Sequence, residues 1–309
     1  MRILVLGSAA GGGFPQWNCN CSGCRRARSG DKKALPRTQS SIAVTLDGNS
    51  WYLLNASPDL RQQMGSYAFF HPRSGMRDSP IAGAVITSGD VDHVAGLLNL
   101  RESQKLSLFA TARVQAALRA NSIFGVLSDS FVDRRELPLE RPTELCDGAG
   151  RASGLNVTAF TVPGKVALYL ENLAAGPGFG TQPGDIVGLE VSAPGQGKRF
   201  FYIPGCAAMT ADLGRRLRGA PLAFFDGTLW RDDEMIVAGL GAKTGQRMGH
   251  MSMAGAEGSI AAFAGLQVGR KIFIHINNTN PVLMEDSPER DAANAAGWEI
   301  SYDGMEVAL

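Results

Sequence analysis

The chain has 309 residues, of which 44% are hydrophobic and 19% charged, so a disordered or fibrous protein is excluded. Lys and Arg total 30 against 29 for Asp and Glu, a formal net charge of +1 that leaves no basic excess to hold a polyanion, and no nucleic-acid partner is expected. Glycine stands at 38 residues, above the usual share, and predicts many tight turns.

No apolar stretch approaches the roughly 18 residues of a spanning helix, so no membrane span is expected. The short apolar start, Ile3 to Leu6, reads as a first buried strand rather than a signal peptide, and a cytoplasmic protein follows as the expectation. In chain order, short apolar runs predict strands at 3–6, 42–46, 51–54, 82–86, 106–110, 155–161, 186–191, 200–203, 222–225 and 272–276. Helices are predicted between them at 58–64, 94–103, 111–120, 210–218, 254–264 and 287–296. Long loops are expected at 7–38 and 66–79, with a turn-rich segment at 175–184, and loops of that length are usually functional. No composition break marks a linker, so residues 1–309 are read as one domain.

The densest chemical signal is Asn18-Cys19-Asn20-Cys21-Ser22-Gly23-Cys24. Three cysteines spaced C-x-C-x-x-C in a reducing compartment are read as metal ligands rather than packing residues. Tetrahedral zinc takes four such ligands, so a distant residue must close the site, and a closed site of that kind is structural. Cys146 and Cys206 are read as ordinary buried cysteines.

A second signal follows the predicted strand at 82–86, where Ser88-Gly-Asp90-Val-Asp92-His93 opens a helix. Carboxylate and imidazole together suit a divalent metal. A plain helix start would explain one of the aspartates as an N-cap, but not both together with His93. The remaining histidines are His71 in a loop, His250 before a helix, and His275 at the end of a strand, followed by a dense Asn-Asn-Thr-Asn-Pro turn. Asp59, Asp92, Asp226 and His275 all stand at predicted strand ends, and such residues could meet at one rim of a layered sheet structure.

Taken together these motifs resemble the metallo-β-lactamase superfamily. Thr87-Ser-Gly-Asp90-Val-Asp92-His93-Val-Ala-Gly96 stands where that superfamily carries T-H-x-H-x-D-H-x-x-G, and the cysteine loop is similar to its phosphonate-pathway phosphodiesterase branch. Asn55-Ala-Ser-Pro-Asp59-Leu-Arg61, Phe225-Asp226-Gly-Thr228, Gly249-His250-Met-Ser252 and His275-Ile-Asn-Asn-Thr-Asn-Pro281 follow in the same order, and the whole resembles the superfamily's pyrroloquinoline quinone (PQQ) biosynthesis branch. The resemblance implies an α/β fold, an αββα sandwich with two facing sheets and helices outside.

The departures from the superfamily pattern carry weight. Ser88 and Asp90 replace two histidines, none stands near 162–165, and the bridging aspartate is missing near 201–206. A two-metal hydrolase needs more ligands than these. The resemblance implies instead a mononuclear Fe(II) site, which another divalent metal could replace or which could stand empty. Its ligands would be Asp92, His93 and Asp90. The reaction implied is oxygen-dependent hydroxylation of the tyrosine-derived ring of a Glu-Tyr cross-linked, peptide-derived PQQ precursor, not β-lactam hydrolysis. Asp226 and His250 would form a supporting acid–base pair. His275 is assigned first to the structural zinc with Cys19, Cys21 and Cys24, and alternatively to the active-site metal. The alternative function is a non-catalytic carrier that takes PQQ toward the periplasm and binds its carboxylates through rim cations. Arg61, Arg73, Arg77 and Lys165 are the candidates, each also readable as a solvated surface charge. Other PQQ-pathway proteins are the implied partners.

Overall fold

The fold follows from strands that are apolar on both faces and so must be covered on both. The computed structural model describes residues 1–176 and 178–309; Pro177, in the turn-rich 175–184 segment, lies outside the described residues. The first half contains β1 (Arg2–Gly7), α1 (Ser22–Arg28), β2 (Ser41–Thr45), β3 (Trp51–Leu54), α2 (Leu60–Ser66), β4 (Ile81–Ile86), α3 (Val91–Val94), β5 (Leu106–Ala110), α4 (Ala112–Ala120) and β6 (Val132–Glu136). The second contains β7 (Thr143–Cys146), β8 (Ala152–Thr161), β9 (Val187–Ala193), β10 (Lys198–Ile203), α5 (Ala211–Leu217), β11 (Leu222–Asp226), α6 (Glu234–Val237), α7 (Gly245–Met248), α8 (Ser259–Phe263), β12 (Arg270–Ile274), α9 (Pro288–Ala295), β13 (Trp298–Ile300) and β14 (Glu306–Ala308).

These strands form two sheets, ordered β14-β1-β2-β3-β4-β5-β6 and β13-β12-β11-β10-β9-β8-β7. In each, early strands pair antiparallel and later ones pair parallel: β3 with β4, β4 with β5 and β5 with β6, and likewise β10 through β13. Alternate residues of one strand serve different layers, as the two-residue strand period requires. Ile3, Val5, Phe200, Tyr202, Phe224 and Ile272 fill the space between the sheets. Leu4 and Leu6 face the helices over the first sheet, while Phe201, Phe225 and Phe273 face those over the second. The result is the αββα sandwich. No helix among the described residues is long and apolar enough to cross a membrane.

Three predicted elements differ from the structure. The helix expected at 254–264 forms only as α8 at Ser259–Phe263. The expected loop at 7–38 contains α1, whose N-cap is Cys21, with its sulfur accepting from the Cys24 N–H. The expected helix at 94–103 is instead the short α3 followed by a 3-10 segment at Ala95–Leu100. Backbone pairing explains the break. The Ala56 N–H donates to the His93 carbonyl and the Gly96 N–H to the Ala56 carbonyl, and a Cβ at Gly96 would lie 2.1 Å from the Ser57 carbonyl oxygen.

The chain end is tied to the first loop by Asp303. Its carboxylate accepts from the Ser8 N–H at 3.0 Å, the Ser8 hydroxyl at 2.9 Å, the Thr38 N–H at 2.6 Å and the Thr38 hydroxyl at 2.7 Å. Asp303→Ala strands these donors and should lower stability by about 3 kcal/mol, seen as a lower urea midpoint at unchanged slope. An unchanged midpoint would refute the anchoring role.

Candidate metal centre

Parallel strands deliver their carboxyl ends to one rim, where ligands of α/β sheets collect. From β4 the chain turns through Thr87 and Ser88 into α3. Asn55, held at φ 63, locks that turn: its Oδ1 accepts from the Thr87 N–H at 2.9 Å and its Nδ2 donates to the Thr87 hydroxyl at 2.9 Å. The Ser88 hydroxyl donates to Asp90 Oδ2 at 2.8 Å and lies 2.8 Å from His93 Nδ1. A hydroxyl has one proton to give, so His93 Nδ1 must be the donor to Ser88. That tautomer leaves His93 Nε2 as a bare lone pair, and this atom is buried with no hydrogen-bond partner. Beside Asp92 and His275, this unpartnered nitrogen is open to a metal ion.

The second sheet supplies the other side. Asp226 ends β11 with no exposure to solvent, and accepts from the Cys206 N–H at 2.8 Å, the Thr228 N–H at 3.0 Å and the Thr228 hydroxyl at 2.6 Å. His250 Nδ1 lies 2.7 Å from Asp226 Oδ2. Burial pushes the Asp226 carboxyl up, but the charge and hydrogen bond of His250, then His275 and Thr228, outweigh it, and the net shift is downward. β12 ends at Ile274, and His275 follows in the left-handed region at φ 60. Its Nδ1 lies 2.9 Å from the Thr228 hydroxyl and its Nε2 lies 2.9 Å from Asp92 Oδ2. The Thr228 proton goes to Asp226, so His275 Nδ1 donates to Thr228 and Nε2 is the atom that a metal would take.

Electrostatics inside the cluster are strongly coupled. Burial raises the Asp92 carboxyl, yet the charge of His93 and the hydrogen bond from His275 bring it far below the ordinary carboxylate range. Burial lowers His93, with Asp92 only partly opposing it. Burial also lowers His275, but its bond to Asp92 and the surrounding carboxylates reverse the sign and raise it. His275 Nε2 and Asp92 Oδ2 thus face each other at 2.9 Å, where a cation would satisfy both.

Three donor groups have atoms within 4.8 Å of one another: Asp92, His93 and His275; Asp226, His250 and His275; and Cys19, Cys21 and Cys24. Of the sequence candidates, Asp90 stays outside these groups, because its carboxylate is engaged by Ser88. Asp59 does not reach the rim cluster; it accepts from the Gln39 N–H and side-chain amide. His71 is exposed and bonds to the Gly65 carbonyl. A cavity of about 370 Å³ opens over the donors, lined by Asp90, Asp92, Lys165, Tyr169, His250 and His275 among others. The 66–79 loop lines neither this cavity nor the smaller one over His93.

The structure places His275 with Asp92 and His93 and with Asp226 and His250, not with the cysteines to which sequence reading first assigned it. The residue over the thiols is Asn278, three positions on. Its side-chain nitrogen lies 3.1 Å from Cys19 Sγ, 3.4 Å from Cys24 Sγ and 3.9 Å from Cys21 Sγ. Zinc–sulfur bonds of about 2.3 Å in a tetrahedron separate sulfurs by about 3.8 Å, which fits a group spanning under 4.8 Å. Burial pushes the Cys24 thiol up to about 11. Burial acts upward on Cys19 too, but the Cys21 N–H and neighbouring side chains bring it below its usual value. Sequence reading missed Asn278 and Thr228; the only signal was their company, the polar turn after His275 and the Asp-Gly-Thr after β11.

Two facing seven-stranded sheets with a carboxylate–imidazole cluster at their shared rim define a metallo-β-lactamase-type protein. The beta-lactamase superfamily domain profile matches residues 50–276. The coenzyme PQQ synthesis protein B of Gluconacetobacter diazotrophicus is 55% identical over 306 residues, covering 99% of this chain and 98% of that protein. The crystal structure of Zn(2+)-bound PqqB from Methylobacterium extorquens superposes with a TM-score of 0.93 at 50% identity, covering 100% of both chains. A diphosphatase from the PhnP family shares the fold, with a TM-score of 0.67 at 20% identity over 99% of this chain and 97% of that one. The chain belongs to the coenzyme PQQ synthesis protein B family, and so to PQQ biosynthesis.

Thr228 is the hinge of the proton arrangement, which makes it testable apart from any metal. Thr228→Val removes the partner of His275 Nδ1 and one donor to Asp226, and should cost about 2 kcal/mol in chemical denaturation. Thr228→Ser keeps the hydroxyl and should cost about 1 kcal/mol at most. Equal losses for the two variants would mean that the hydroxyl is irrelevant.

Proposed function

We propose that this chain hydroxylates the tyrosine-derived ring of a Glu-Tyr cross-linked PQQ precursor, using one ferrous iron held by Asp92, His93 and His275. The observation that carries this reading is the donor set: two imidazoles and one carboxylate with atoms within 4.8 Å, one of them a buried bare nitrogen. Two histidines and one carboxylate are the ligands non-haem iron uses, with open positions for oxygen and substrate. Ferrous iron, when bound, would supply the oxygen chemistry that no side chain performs. The rest is work for the chain's own residues. His250 uses Nδ1 on Asp226, so Nε2 is its free nitrogen at the cavity, suited to taking the proton the ring releases. The buried Asp226 carboxylate steadies the imidazolium that forms. Leu168, Tyr169 and Met248 supply an apolar wall for the ring.

Zinc is assigned to Cys19, Cys21 and Cys24, with Asn278 as the fourth donor through its carboxamide oxygen. Rotating that amide by half a turn brings the oxygen to where the nitrogen now meets the sulfurs. A closed site of this kind is structural and would pin the 7–38 loop. Metal analysis tests this directly. Cys21→Ser should lose zinc outright, and Asn278→Ala should bind it about 10- to 100-fold more weakly in chelator competition. Full zinc retention by Asn278→Ala would remove the asparagine from the site.

The iron is tested by anaerobic reconstitution with ferrous iron, followed by oxygen uptake with a cross-linked Glu-Tyr substrate and an added two-electron reductant such as ascorbate, because ring hydroxylation keeps one oxygen atom and the other must be reduced to water. Wild type should hold one zinc and one iron and consume oxygen. His93→Ala and His275→Ala should lose iron and uptake while keeping zinc. If iron never binds while PQQ does, the chain is a carrier and not a hydroxylase.

A further inference from the structure

Lys165 lines both the small cavity beside His93 and the larger one over His275. Its side chain is 14% exposed, with Nζ 2.9 Å from Glu171 and 3.4 Å from the Val166 carbonyl. Glu171 is itself buried, and it is shared: Arg247 grips it with two nitrogens at 3.2 and 2.8 Å while stacking 3.8 Å over Phe179. One carboxylate therefore answers two cations, and the trio keeps a net charge of +1 at the cavity wall. An ammonium has three N–H donors, and only two have acceptors here. Lys243, exposed on the same cavity, has no ion-pair partner among the described residues. Arg61, Arg73 and Arg77 line neither cavity, and Arg73 is spent on Asn49 and two backbone carbonyls.

We propose that Lys165 is the carboxylate-binding residue of this cavity, that Lys243 receives a second carboxylate, and that Glu171 and Arg247 are positioning residues holding Lys165 in place. The ligand class is an aromatic polycarboxylate: a flat body against Leu168, Tyr169 and Met248, with its acid groups on the lysines. A charge-assisted bond to a mostly buried ammonium with a fixed counter-charge is stronger than one to a free surface lysine. The inference rests on membership of the PQQ pathway, but on neither iron nor oxygen.

The test is calorimetric titration of the zinc-containing full chain with PQQ, a tricarboxylate, and with its trimethyl ester, in the absence of iron. Wild type should prefer the acid by about tenfold or more, and Lys165→Met should erase most of that preference while leaving ester affinity unchanged. Lys165→Arg should retain part of it. Equal affinity of acid and ester for wild type, or equal loss of both in Lys165→Met, overturns the proposal. Should Lys165→Met fail to fold, Lys243→Met decides: an unchanged acid preference there also overturns it. Acid-selective binding without oxygen uptake would sink the hydroxylase and leave the anchor standing. Oxygen uptake with an unchanged KM in Lys165→Met would do the reverse.

Discussion

The candidate site depends on one buried carboxylate. Asp226 has no solvent exposure, and an ionised carboxylate in that position is tolerable only if its lone pairs are filled. Each partner comes from a different piece of the rim: the Cys206 amide after β10, Thr228 after β11, and His250 after α7. Thr228 then passes the constraint to His275 after β12. The requirement to satisfy one charge therefore sets where three loops go, and those loops carry the imidazoles.

Hydroxyls control the chemistry of those imidazoles. Ser88 and Thr228 each give their single proton to an aspartate, so each must accept from a histidine Nδ1. His93 is thereby left with a bare Nε2, while His275 turns its Nε2 to Asp92. Ser88, read from the sequence as a lost ligand, is in the structure the residue that orients the His93 ring. The superfamily pattern is thinned here, and what remains is ordered by hydrogen bonds.

The segment from His275 to Asn280 serves two sites at once. His275 turns to Asp92 and Thr228, while Asn278 turns to the thiols. Ala10, which lines the cavity, donates its N–H to the Ile276 carbonyl, and the Ile276 N–H donates to the Ser8 carbonyl. The 7–38 loop is thus tied through a few backbone bonds to the segment that carries His275.

Buried strands announced themselves in the sequence because both of their faces are covered. The ten predicted runs correspond to interior strands, with ends shifted by a few residues. The four strands that were not predicted, β6, β7, β13 and β14, are the outer strands of the two sheets. Val132-Asp-Arg-Arg-Glu136 shows why: an edge needs charge to avoid pairing with other chains, and charge hides the strand from a hydrophobicity reading. Cysteine spacing and the Asp-x-Asp-His turn were legible for a similar reason, since their donors lie within a few residues of each other. The partnership of Asp92 with His275 spans 183 positions, and that of Asn278 with Cys19 spans 259. No local pattern encodes such distances. Which histidine joins which donor group, and which cation faces the cavity, was decided only when the two sheets closed over one another and the buried carboxylates had to find partners.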